Sequence, residues 1–143
     1  MRESLYRGRS KESGKFVFGD LLQGFDGRKY IITLCDNTAT WNFTPRLLFE
    51  EVVPETVGQF TGLLDKNGTK IFEGDIVKHG HTCRYSDGQT RDFYYNLLVR
   101  FSENHGAWLT GDSKYLTPRN LKKYSIKVMG NIHDNPELLM EEL

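Results

Sequence analysis

Three residues able to ligate a metal alternate along one short segment, His79, His81 and Cys83 in "KHGHTC". On an extended strand, residues i, i+2 and i+4 line one face, so the three would point the same way. Imidazole and thiolate ligands in a tetrahedral set are zinc chemistry, with Cys35, His105 or His133 as a distant fourth ligand. H-x-H-x-C matches no standard zinc spacing and adjoins a polar turn, so the competing reading is a solvated hairpin edge. Three carboxylates, Asp65, Glu73 and Asp75, lie within "DKNGTKIFEGD". Carboxylates whose pKa values are driven apart do acid–base work. Each of these neighbours a turn glycine, where Asp side chains bond local backbone instead. Ser102 and His105 are close in sequence, but no G-x-S-x-G elbow surrounds them. The glycines at 8, 14, 19, 24 and 27 fit no phosphate-loop pattern. No catalytic constellation, metal set or cofactor is expected.

The remaining chemistry is cationic. Arg2, Arg7, Arg9, Lys11 and Lys15 stand against only Glu3 and Glu12 near the start, with Tyr6, Phe16 and Phe18 among them. Bases stack on aromatic rings in positive grooves, which makes this segment the candidate nucleic-acid contact. The competing reading is that the aromatics are core. The chain as a whole gives no basic signal, since 19 positive residues balance 19 negative ones. A dedicated non-specific nucleic-acid binder is clearly basic, because phosphate neutralisation supplies most of its affinity. The opposite end is acidic, with Glu137, Glu141 and Glu142.

Residues such as these need a scaffold, and 143 residues suffice for one domain or two small subdomains without a disulfide or metal staple. No apolar run approaches the ~20 residues that cross a bilayer. The opening "MRESLYRGRSKESGK" is charged with no apolar stretch behind it, so a cytoplasmic location is expected. Cys35 and Cys83 form no CxxC pair, and both are expected as reduced thiols.

Aromatic and β-branched residues fall in short runs bounded by Gly, Asp, Asn and Pro, a β pattern. "FVF" at 16–18 is a strand stopped by Gly19-Asp20, and "KYIITLC" at 29–35 is another. Pro45 and Pro54 confine 36–58 to edge strands and extended loops. A single helical turn capped by Thr44 is the alternative there. "QFTGLL" and "TKIF" flank Asn67-Gly68, the strongest short hairpin signal. Glu73-Gly74-Asp75 then turns into "IVKHGH", with either Ile76 or Val77 inward but not both. Residues 80–92 are a polar hairpin end or excursion. "FYYNLLVRF", "AWLT" and "YSIKVMGNIH" are strands, and Asn135-Pro136 opens a short C-terminal helix.

Three blocks together resemble the YopX family of bacteriophage and prophage proteins: "YRGRSKESGKFVFGDLL", "VGQFTGLLDKNGTKIFEGDIVK" and "VMGNIHDNPELL". The resemblance spans nearly the whole chain, in order, except residues 79–92, which align with no block. It implies a mainly-β fold: an N-terminal β-rich subdomain over 1–56 and an SH3-like barrel with a terminal helix over 57–143. It also implies a phage or prophage origin and action in the host cytoplasm. It carries no activity and no catalytic residues. The leading expectation is therefore a non-enzymatic interaction module that binds a host or phage protein and self-associates as a homo-oligomer. The alternative is a nucleic-acid-binding module using the basic N-terminal segment. A third reading is a small metal enzyme around His79, His81 and Cys83.

Overall fold

Runs rich in aromatic and β-branched side chains become strands, and the Gly, Asp and Asn clusters become the turns between them. The computed structural model describes residues 4–35 and 46–140, and the chain is mainly β, in antiparallel sheets. It divides into two units, Met1–Phe60 and Thr61–Leu143, against the expected division at 56/57. Among the described residues no helix is long and apolar enough to cross a membrane.

The first unit holds β1 (Tyr6–Arg9), β2 (Phe16–Gln23), β3 (Lys29–Cys35), β4 (Arg46–Val52) and the start of β5 (Gly58–Leu64). Their hydrogen-bonded order is β4-β3-β2-β1-β5, so β4 is an edge strand. The alternative helical turn does not form over its described part, because Arg46–Val52, with Glu50 and Glu51, is strand β4; its expected cap Thr44 and Pro45 lie outside the described residues. Ile31 and Val52 are fully buried here. Gly19-Asp20 does not stop the aromatic run; β2 continues through it to Gln23. Gly19 sits opposite Tyr6, and a Cβ on it would lie 2.2 Å from the Ile32 carbonyl oxygen of β3. It marks a close backbone approach inside a strand, which looks like a turn signal when read locally.

The second unit holds the rest of β5, then β6 (Lys70–Phe72), β7 (Asp75–Arg84), β8 (Thr90–Ser102), β9 (Ala107–Thr110), β10 (Lys114–Tyr115), α1 (Pro118–Lys123) and β11 (Lys127–Asn131). β6 follows β5 in hydrogen-bonded order, and the other sheet runs β10-β9-β8-β7-β11. Its core is Ile71, Val77, Val99, Leu116 and Ile126, packed against Leu63, Trp108, Leu121, Tyr124 and Val128. Ile76 and Val77 are both fully buried, because β7 is covered on both faces where it begins. That corrects the expectation of one inward residue, which assumed one solvated face.

Two further expectations change, those of a closed barrel and of a capped C-terminal helix. The barrel does not close: among the described residues β10 and β11 end the sheet on opposite sides with no pairing between them. A barrel exists only when its outermost strands bond each other. Residues 80–92 take the hairpin-end form of the two expected, since β7 and β8 continue as one ladder to Arg84 and Thr90, closed by a turn at Asp87-Gly88. The C-terminal helix is one 3-10 turn, Pro136–Leu139, and Asn135 makes no side-chain cap bond to it. α1 was not expected, although Thr117 accepts from the Asn120 amide and Pro118 occupies the first turn, both ordinary start signals.

Candidate functional site

Two of the three clustered carboxylates, Asp65 and Asp75, serve the backbone. Asp65 is buried, and its Oδ1 accepts from the Asn67 and Thr69 amides at 2.8 Å each. Its Oδ2 accepts from the Val128 amide of β11 at 2.9 Å. Asp75 is also buried and accepts from the Phe72 amide at 2.7 Å, closing the corner through Glu73 and Gly74. Both carboxylates are occupied in holding strands in register.

His79, His81 and Cys83 do share a face of β7, but they do not converge. Consecutive same-face residues on a strand lie about 6.5 Å apart, so His79 and Cys83 are separated by about 13 Å. Among the described residues no group of three or more His, Cys, Asp or Glu could hold a metal ion. Cys83 is a free, partly buried thiol; the side chain of Cys35 lies outside the described residues. Ser102 and His105 are joined through Oγ and Nδ1 at 2.8 Å across a tight turn, and the imidazole edge meets the Tyr115 ring. Among the described residues no carboxylate orients that histidine, so the pair lacks the third member that makes such a couple nucleophilic.

His79 is 1% exposed, and neither ring nitrogen has a hydrogen-bond partner. Its ring packs on Tyr124, centroids 5.2 Å apart. Burial, and then the Lys114 ammonium, push its pKa from 6.5 down to about 4. The native state therefore holds His79 neutral while the unfolded chain protonates it near 6.5. Stability is intact above pH 6.5 and falls as pH drops toward 4, by about 2–3 kcal/mol at pH 4.5. Urea unfolding at pH 7.5 and 4.5 should show this loss, and His79→Phe should remove most of it. An equal pH dependence in His79→Phe would exonerate the histidine.

The N-terminal cations are largely engaged inside the first unit. Arg7 is 8% exposed, and its guanidinium lies 4.8 Å from the Phe16 ring centroid. Arg9 approaches the same ring at 5.1 Å. Lys11 forms an ion pair with Glu51 of β4. Lys15 is exposed, and Arg2 lies outside the described residues.

A concave feature of the second unit lies elsewhere, a cleft of about 600 Å³ lined by Lys66, Lys78, Lys123, Lys127, Tyr94 and Tyr124-Ser125. Lys66 lies in the β5–β6 turn, and its amide donates to the Ile126 carbonyl beside Lys127. Lys127 of β11 and Lys78 of β7 are direct cross-strand partners. Lys78 Nζ lies 4.2 Å from the Tyr94 ring centroid. Gly80 faces Tyr94 across the ladder, and a Cβ there would meet that ring at 3.5 Å, an ordinary van der Waals contact. Ser125, the one described non-glycine with positive φ, at 48°, turns the chain from α1 into β11 and brings Lys123 and Lys127 to the same cleft. Asp92, which accepts from Thr82 Oγ1 at 2.6 Å, is the carboxylate on its wall. Burial pushes the Tyr124 phenol up, and the Lys114 and Lys123 ammoniums more than offset it, so its pKa sits below the ordinary phenol value. Sequence reasoning missed these lysines because they come from four separate segments at no motif spacing. The run "LKKYSIK" was the available local hint.

A family model described as YopX protein matches residues 5–140. The fold is shared with the crystal structure of protein EF1440 from Enterococcus faecalis, with 21% identity and a TM-score of 0.60. The alignment covers 97% of this chain and 99% of that one. No curated protein is matched.

Proposed function

The chain belongs to the YopX protein family, and from that premise we propose that it is a non-enzymatic interaction module that holds a host or phage protein. The observation that carries this reading is the free-standing end of the β7–β8 ladder. β11 pairs with β7 only over Asp75–Lys78, and β9 pairs with β8 only over Val99–Ser102. Between them, the Gly80 amide donates to the Tyr124 carbonyl at 2.6 Å, and beyond it His81–Arg84 and Thr90–Phe93 pair only with each other, as a two-stranded ribbon with no third strand beside it. A lone ribbon is marginal in water, and its open edges are templates for another chain. Phe93 on the ribbon and Tyr95 at its base share one face of β8, 36% and 43% exposed, and Tyr85 stands at the tip. Exposed aromatics on an open ribbon are the anchors that protein partners bury.

In the same reading the protein acts in a bacterial cytoplasm as part of a phage or prophage, which rests on the family resemblance. The second unit is an opened SH3-like arrangement. Its support is a meander from β7 to β10, one helical turn, and a last strand that returns to pair with β7.

The test is affinity capture from bacterial lysate with nuclease added, using wild type and Phe93→Ser/Tyr95→Ser. The expected result is a protein retained by wild type and, once purified, bound at least 30-fold more weakly by the variant, the effect of losing about 2 kcal/mol of anchor burial. Equal retention by both would remove the ribbon from the interaction.

A further inference from the structure

Lys127 and Lys78 stand directly opposite each other on adjacent strands. Like charges in that position are destabilising. A protein commonly relieves them with a neighbouring carboxylate. Here, among the described residues, no carboxylate pairs with Lys66, Lys78, Lys123 or Lys127. Overall basicity does not explain the cluster, because the chain is neutral with 19 charges of each sign. Four cations are gathered from a turn, a strand, a helix end and an edge strand around one concavity, and the Tyr94 and Tyr124 rings beside Lys78 and Lys123 offset only part of their repulsion.

The walls refine what would offset that cost. Tyr94 is 59% exposed, so its ring stays largely open to solvent with the Lys78 ammonium 4.2 Å from its centroid. Lysines give point charges suited to phosphate oxygens, and an open ring gives a stacking surface for a base. A volume of about 600 Å³ is that of a small-ligand pocket, admitting a strand segment of a few nucleotides rather than a duplex. We propose that this cleft is a binding site for single-stranded nucleic acid, with Lys66, Lys78, Lys123 and Lys127 on successive phosphates and Tyr94 stacked on a base. The site goes beyond the protein-docking reading and lies on the opposite face of β8 from Phe93 and Tyr95, since side chains alternate along a strand. The two readings therefore fail independently.

The experiment is fluorescence anisotropy of a labelled 12-nucleotide oligo-dT with the full chain, from 50 to 200 mM salt. Four phosphate contacts give a slope of log K against log salt of about −2.8, a roughly 50-fold loss over that range. Lys78→Gln/Lys127→Gln should bring the slope to about −1.4. Tyr94→Leu should weaken binding roughly fivefold or more and leave the slope unchanged. Lys11→Gln/Lys15→Gln and Phe93→Ser/Tyr95→Ser should bind as wild type does. Circular dichroism of each variant separates lost binding from lost fold. No binding at 50 mM salt overturns the proposal. So does an unchanged slope in the lysine pair, or loss in the Lys11/Lys15 pair, which would return the contact to the N-terminal segment. A duplex of the same length binding equally well would also overturn it. Competition by poly-glutamate at equal charge would make the cleft an acidic-peptide site and equally defeat it.

Discussion

Asp65→Ala should cost the second unit about 3–5 kcal/mol, read as a fall in urea midpoint with little change in slope. The carboxylate is buried and satisfies three backbone amides, those of Asn67, Thr69 and Val128. Hydrogen bonds to a charged group contribute about 1.5–3 kcal/mol each, and a donor left unsatisfied in the interior carries its full desolvation cost. The sum is less than three independent bonds because the loop relaxes once its anchor is gone. Two of the amides lie in the turn itself, and the third belongs to β11, so the residue couples a local hairpin to the last strand of the sheet. Asp65→Asn separates these roles. Its amide oxygen still accepts from Asn67 and Thr69, while its NH2 group opposes the Val128 amide, and about half the loss is expected. A loss below about 1 kcal/mol for Asp65→Ala would show that the carboxylate is not structural, and would reopen a role for it in chemistry.

Gly74→Val should abolish soluble folded protein at the corner that follows. Gly74 has φ of +89°, where a β-branched residue is a severe outlier. Its amide donates to the Val99 carbonyl at 2.9 Å, and its carbonyl accepts from the Ile132 amide at 2.8 Å. The chain cannot rotate away from the strained angle without breaking contacts to both β8 and the segment after β11. Strain of about 1–3 kcal/mol plus two lost bonds is a large part of the stability of a small domain. Gly74→Asn, the residue type most tolerant of positive φ after glycine, should remain folded with a modestly lowered midpoint. Soluble expression and heteronuclear NMR dispersion distinguish the two variants. A well-folded Gly74→Val at wild-type yield would refute the structural reading of Glu73-Gly74-Asp75.

Both predictions concern residues that looked equally able to do chemistry. The punctuation "DKNG" and "EGD" was legible as turns, because an Asp or Asn side chain bonds backbone two to four residues away and a glycine supplies positive φ. What could not be read was the Asp65–Val128 bond, across 63 residues, which turns a local cap into a link between strands. Gly19-Asp20 misled for the complementary reason. Its glycine answers to a carbonyl on another strand, Ile32, and nothing in the flanking residues reveals that approach.

By itself the sequence determined the β character, the positions of most strands and turns, the family, and the lack of a motif for phosphate loops, zinc or triads. Those properties depend on side-chain shape, backbone preference and spacing over a few residues. Tertiary structure decided which expected sites survive. It turned Arg7 and Arg9 onto Phe16, buried His79 against Tyr124, and separated His79 from Cys83 along a strand. It also brought Lys66, Lys78, Lys123 and Lys127 to one cleft. Charge at a point in space is a sum over segments that the fold makes adjacent, and no local pattern encodes that sum.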